Sequence, residues 1–177
     1  MIFHRSKLAG AWLIEPERRH DERGHFVRTF CVEEFEARGL ESKFVQTSLS
    51  FNKLKGTLRG LHFQRAPHQE TKVVGCVQGA IYDVLVDLRA GSPTFGQWEG
   101  YELSQENGRQ LYIPEGFAHG FQTLSDASTV SYAISRFHAP DAASGVRFDD
   151  RQLDVKWPQP PLVISERDLS WPYLAAR

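Results

Sequence analysis

Apolar and polar residues alternate at short intervals along this 177-residue chain, mostly with a period of two. The clearest run spans residues 80–88, where Tyr82, Val84, Val86 and Leu88 fall on one side and Ile81, Asp83, Leu85 and Asp87 on the other. The valine-rich stretch 71–77 and the segments 111–113, 120–124 and 130–135 also read as strands, and a further strand around 12–15 is expected to add to a neighbouring chain's sheet and cover an exposed edge. In the first half one segment looks helical, 31–38, with Phe35 among helix-compatible neighbours and Gly39 where a C-cap would stand. Short strands separated by Gly, Pro, Asp and Ser predict an all-β sandwich or barrel with few short helices rather than a βαβ fold. A barrel packed solid would carry apolar residues at every inward position. Several strands here mix in Asp, His, Lys, Gln and Tyr, so the expected barrel has a polar lumen that serves as a ligand site. The proline-rich stretch 157–161 is expected to cross the surface before a final ordered tail.

Composition narrows the classes. With 41% apolar and 12% aromatic residues the chain has ample core material, and disorder is excluded. No repeat, low-complexity tract or linker divides it, and the length suits a single domain over 1–177. Twenty-one basic against 22 acidic side chains give a net charge of -1, which argues against broad binding to nucleic acid or an anionic membrane but leaves room for a local basic pocket. No apolar stretch nears the roughly 20 residues of a membrane helix. The apolar patch at 8–14 is broken by Gly10 and followed by Glu15 and Glu17, a poor signal peptide. Cys31 and Cys76 fit neither a metal spacing nor a disulfide framework. A soluble, cytoplasmic protein is expected.

Candidate chemistry is densest in GTLRGLHFQRAPHQETK, residues 56–72, which holds Arg59, His62, Gln64, His68, Glu70 and Lys72. Arg59 and His62 would face opposite ways in a regular strand unless Gly60 introduces a bulge; the plain alternative is a solvated edge strand. A metal site of the cupin type wants a His-x-His pair, and His62-Phe63-Gln64 breaks it, so His62, Glu70 and His119 make a weak ligand set and no metal is expected. In IPEGFAHGF, residues 113–121, Gly120 lets the backbone approach a ligand, and His119 is either structural or a second imidazole beside His62. Tyr132 shares a face with Val130 and Ile134, points inward, and needs a partner for its hydroxyl. Asp168, in SERDLSWP, is ordinarily solvent-facing; returned to His62 it would fix the tautomer of that ring.

Taken in order, GTLRGLHFQ, ETKVV, VDLRAGSPTFGQW, IPEGFAHGF, VSYAIS and GVRFDD…WP…ISERD closely resemble the dTDP-4-dehydrorhamnose 3,5-epimerase family, over 21–172. The resemblance implies a cupin-type jelly roll, a homodimer, no metal or other cofactor, and a nucleotide-linked 4-keto-6-deoxyhexose as substrate. A C4 ketone acidifies the hydrogens on C3 and C5, so a base, an oxyanion stabiliser and an acid across the ring suffice to invert those centres. By the same resemblance His62 matches the base, Asp168 the carboxylate that orients it, Lys72 the cation for the enolate oxygen and Tyr132 the acid. His119 and Arg59 match positions lining sugar and diphosphate, Arg23 and Gln46 nucleotide contacts, and His138, beside Phe137, the position of a stacking Tyr. The departures are Arg28 for a Glu, Thr47-Ser48 for Asp-Asn, His138 for the Tyr and Ala143 for a Glu, all on the nucleotide side. Alternatives are a single-centre epimerase and a 3,4-ketoisomerase on a related substrate; a metal-dependent oxygenase and a non-catalytic sugar-nucleotide binder lie further off.

Overall fold

The period-two runs fold as strands that pair antiparallel. The computed structural model describes residues 1–175. In chain order they form β1 (Ile2–Arg5), β2 (Trp12–Glu15), β3 (Arg19–Asp21), β4 (Gly24–Phe26), α1 (Val32–Glu36), β5 (Gln46–Asn52), β6 (Leu58–Gln64) and β7 (Lys72–Gln78). There follow β8 (Ala80–Asp87), β9 (Trp98–Ser104), β10 (Gln110–Ile113), β11 (Phe117–Thr123), β12 (Ser128–Ile134), β13 (Ala143–Gly145) and α2 (Glu166–Leu169). Two sheets face each other in a jelly-roll sandwich, one ordered β1-β2-β10-β7-β12-β5 and the other β13-β6-β11-β8-β9, while β3 and β4 make a separate hairpin. No helix among the described residues is long and apolar enough to cross a membrane.

The alternation in β8 is realised on both faces. Ile81 and Leu85 join Val74, Leu111, Phe117, Phe121 and Val130 in the core between the sheets. Val84 and Val86 face outward, yet Val146, Leu153 and Trp157 of the C-terminal segment cover them. That segment is pinned as well as packed. Fully buried Gln122 of β11 donates from Nε2 to the Gln159 carbonyl at 2.9 Å and accepts from its N–H at 3.2 Å. The proline-rich stretch therefore straps the outer face of the five-stranded sheet and delivers α2 to one end of the sandwich.

Three local expectations need adjusting. Helix α1 has five residues rather than eight, because Cys31 stays extended and offers no side-chain cap; Gly39, at φ +68°, still ends the turn. Strand β11 begins at Phe117, three residues before the pattern suggested, since Gly116 at φ +82° makes the turn and the inward His119 interrupts the apolar periodicity. A free β2 was expected to add to a neighbouring chain's sheet. Instead the chain turns back between Ser6 and Ala11, and β1 and β10 occupy both edges of β2.

Strand β5 closes the other end of the six-stranded sheet with its polarity reversed. Gln46, Ser48, Ser50 and Asn52 share the face of Val130 and Tyr132 toward the interior, while Leu49 and Phe51 point outward at 70% and 59% exposure.

The loop after β8 hangs on one carboxylate. Buried Asp87 accepts from the Arg89 guanidinium at 2.9 and 2.7 Å, from the Arg89 N–H, and from the Ser92 and Thr94 hydroxyls. Burial pushes its pKa up, but these donors outweigh burial and hold it far below the usual carboxylate range. Asp87→Ala should cost on the order of 3 kcal/mol, read as a lower denaturation midpoint at neutral pH. Because the folded-state pKa is depressed, the Asp87 contribution is present above about pH 4 and lost as pH falls below it, so the gap between wild type and variant should narrow in acid.

Candidate active site

Strand β6 carries Arg59, His62 and Gln64, and it manages to present the first two to one cavity. Gly60 adopts φ +130°, and the β6–β11 register slips between His119 and Phe121. The slip supplies the bulge the spacing required. It also needs two glycines back to back: a Cβ on Gly60 would meet the Gly120 Cα at 2.5 Å. The cavity encloses about 340 Å³ and is lined by Arg59, His62, Gln64, Glu70, Arg167 and Trp171, with His138 and Ala143 at its wall.

His62 Nε2 lies 2.5 Å from Asp168 Oδ1, and its side chain is 41% exposed to the cavity. Asp168 is not solvent-facing. It sits on α2, whose N-cap Ser165 accepts from the Asp168 N–H, and it is buried with two further donors, Trp171 Nε1–H at 3.2 Å and Gly60 N–H at 3.4 Å. Burial raises the Asp168 carboxyl, yet the His62 hydrogen bond and the other donors bring it below its ordinary value, so it is a carboxylate at neutral pH. With Nε2–H donated to that oxygen, the lone pair of His62 lies on Nδ1, away from Asp168.

On the opposing sheet stand Lys72, which opens β7, and Tyr132 of β12, neither of them among the residues lining that cavity. Tyr132 packs edge-on against His119, ring centroids 6.1 Å apart. Its phenol is driven strongly upward by burial and by the nearby Asp83 charge, against a smaller opposing pull from Arg59, and is protonated at neutral pH. His119 Nε2 is fastened by both oxygens of fully buried Asp83 at 3.0 and 2.9 Å. Burial raises the Asp83 carboxyl, while His119 and Lys72 counter it. Arg59 is held by Asn52 of β5, Nε to Oδ1 at 2.7 Å. The three residues weighed as metal ligands thus each have a separate partner: His62 with Asp168, His119 with Asp83, and Glu70 with Lys72 at 2.9 Å. Among the described residues no three His, Cys, Asp or Glu side chains converge on a metal position.

The remaining candidates divide. Gln46 and His138 are brought together, the Gln46 side-chain oxygen accepting the His138 N–H at 2.8 Å, and Phe137 stands beside them largely exposed. Arg23 is placed elsewhere. It lies in the β3–β4 turn, 83% exposed, gripping Asp21 at 2.6 Å, and does not line the cavity.

A sequence model of the family described as dTDP-4-dehydrorhamnose 3,5-epimerase matches residues 5–176. The chain belongs to that family. It is 46% identical over 172 residues to the dTDP-4-dehydrorhamnose 3,5-epimerase of Methanothermobacter thermautotrophicus, covering 96% of this chain and 92% of that one. The crystal structure of dTDP-4-dehydrorhamnose 3,5-epimerase from Bacillus anthracis, with TDP and PPi bound, superposes with a TM-score of 0.94 at 42% identity, covering 98% of this chain and 99% of that one. Similarity extends to a dTDP-4-dehydrorhamnose 3-epimerase of Streptomyces niveus, 41% identical over 162 residues, 91% of this chain and 78% of the relative.

Against this epimerase fold the positions that sequence reasoning passed over come into view. Asp83 was visible as an inward residue of β8, and it sits diagonally from His119 in the β8–β11 register, where Leu85 is the direct partner. An inward Asp on a strand beside an inward His was the available signal. Asn52, Trp171 and Arg167 had none, because their relevance depends on the bulge at Gly60 and on where the strap deposits α2.

Proposed function

We propose that this chain is an isomerase that inverts C3 and C5 of a dTDP-4-keto-6-deoxyhexose, converting dTDP-4-dehydro-6-deoxy-D-glucose into dTDP-4-dehydro-L-rhamnose. The observation that carries the reading is the division of labour between the sheets: a carboxylate-oriented imidazole on one, a protonated phenol and an ammonium on the other. In a gluco-configured pyranose the C3 and C5 hydrogens lie on the same face, so one base serves both. His62 Nδ1 removes the proton, and the electron pair moves onto O4 as an enolate. Lys72 faces that oxygen with its positive charge, a stabilisation that grows as the charge develops. Tyr132 delivers a proton from the other face, which inverts the centre. His119, held by Asp83, lines the sugar, and Arg59 takes the diphosphate through its forked guanidinium. Gln46, Phe137 and His138 form the nucleotide end.

The chain acts as one domain and as a homodimer in the cytoplasm. Support for the dimer comes from the outward face of the six-stranded sheet, where Phe30, Phe44, Leu49, Val73 and Ala133 line an apolar hollow of about 530 Å³ beside exposed Phe51. In that dimer Arg23, which takes no part in the cavity of its own chain, serves as a nucleotide contact for the second copy.

Incubation with dTDP-4-dehydro-6-deoxy-D-glucose in heavy water tests the reading. Deuterium at both C3 and C5, with the L-lyxo product, is the expected result by NMR. Deuterium at C3 alone would place the chain with the 3-epimerases, and a carbonyl moved to C3 would make it a ketoisomerase.

A further inference from the structure

Behind Lys72 lies a group that the reaction above does not name. Glu70 sits in the loop between β6 and β7, and its side chain and that of Lys72 are each only 11% exposed. One carboxylate oxygen takes the Lys72 ammonium at 2.9 Å and the other takes Gln64 Nε2 at 2.8 Å. Gln64 is buried and ties down two backbone segments, Nε2 also reaching the His68 and Phe137 carbonyls while its oxygen accepts the Ala139 N–H at 2.7 Å. It stands two residues beyond His62 on β6, whereas Lys72 opens β7 in the opposing sheet. The Gln64–Glu70–Lys72 chain therefore links the strand of the base to the strand of the cation.

The residue type fits the task. Both groups approaching position 70 are donors, and a carboxylate is acceptor-only, so it satisfies both at once; an amide would turn its own NH₂ against one of them. Stability alone is a weak reason to bury such a pair, since apolar residues of similar volume usually stabilise as well. A lysine head on a four-carbon stem samples many rotamers, and a cation helps an enolate most when it is in place before the charge appears. Resting on the epimerase reading, we propose that Glu70 is a positioning residue that fixes the Lys72 ammonium at the enolate oxygen.

Two variants and two readouts test it. Glu70→Ala should lower kcat about 30-fold with KM changed less than about threefold, and Glu70→Gln, which keeps one acceptor, should fall between it and wild type. Added to Lys72→Met, Glu70→Gln should alter the residual deuterium exchange less than about twofold, because no ammonium remains to be held. Wild-type kcat in Glu70→Ala, a loss confined to KM, or losses that multiply with Lys72→Met would overturn the proposal. Without substrate, a slowly exchanging Lys72 ammonium signal should be seen by nitrogen-15 NMR in wild type, weakened in Glu70→Gln and lost in Glu70→Ala; its persistence in Glu70→Ala would also overturn the proposal. If wild type exchanges no deuterium, the epimerase reading falls, and the ammonium signal still decides whether Glu70 holds Lys72.

Discussion

His62→Ala should stop deuterium from entering the substrate at C3 and at C5 alike, with exchange falling about 10³-fold, the scale of a lost general base. Both carbons suffer together because both hydrogens present to the same imidazole. Asp168→Asn separates orientation from basicity. Oδ1 receives His62 and Trp171, and Oδ2 receives the Gly60 N–H. An amide has one oxygen for these three donors. With its NH₂ on the Oδ1 side it donates to His62 Nε2 and leaves the proton on Nδ1, where the base is needed. Exchange in Asp168→Asn should therefore drop roughly 10- to 100-fold while the cavity stays intact. The check is NMR exchange at both carbons with circular dichroism as the fold control; undiminished exchange in His62→Ala would remove the histidine from the chemistry.

Tyr132→Phe should split two events that the wild-type enzyme couples. The base is untouched, and at 41% exposure its imidazole trades protons with solvent. An enolate formed in heavy water then collects its deuteron from His62, on the face that lost the proton, and returns labelled but not inverted. Label should enter within about tenfold of the wild-type rate, while product formation falls about 10³-fold. Half-buried against the apolar core, Tyr132 loses only its hydroxyl in this substitution, so the fold should hold. Normal inversion in the variant would show that water or another side chain supplies the second proton, and loss of both label and product would make Tyr132 part of the abstraction step instead.

Much of this architecture could be read from local pattern. The alternation in β8, the inward Tyr132 and the need for a bulge at Gly60 all follow from rules that span a few residues, and the sheets reproduce them. What escaped was the pairing. Local pattern leaves Asp168 as one more acidic surface residue, and the family resemblance alone tied it to His62, because its burial is imposed by the strap over the outer sheet, whose anchor, Gln122 to Gln159, joins positions no periodicity relates. Glu70 was weighed only as a metal ligand, since its actual partners lie on two different strands. Boundaries failed where an inward polar side chain interrupts the apolar period, as His119 does in β11.

His62 and Asp168 are separated by 106 positions, and that distance has a consequence for how activity begins. Synthesis proceeds at about 5–20 residues per second and tends to fold earlier segments first. Both sheets, with His62 already in its bulge, are complete once β13 has emerged; the carboxylate follows about one to a few seconds later. A newborn molecule thus passes through an interval in which the vessel exists but its imidazole is unaligned. The strap, arriving after both sheets, acts as the ignition, and a nick in it would return a folded barrel to that earlier, idle state.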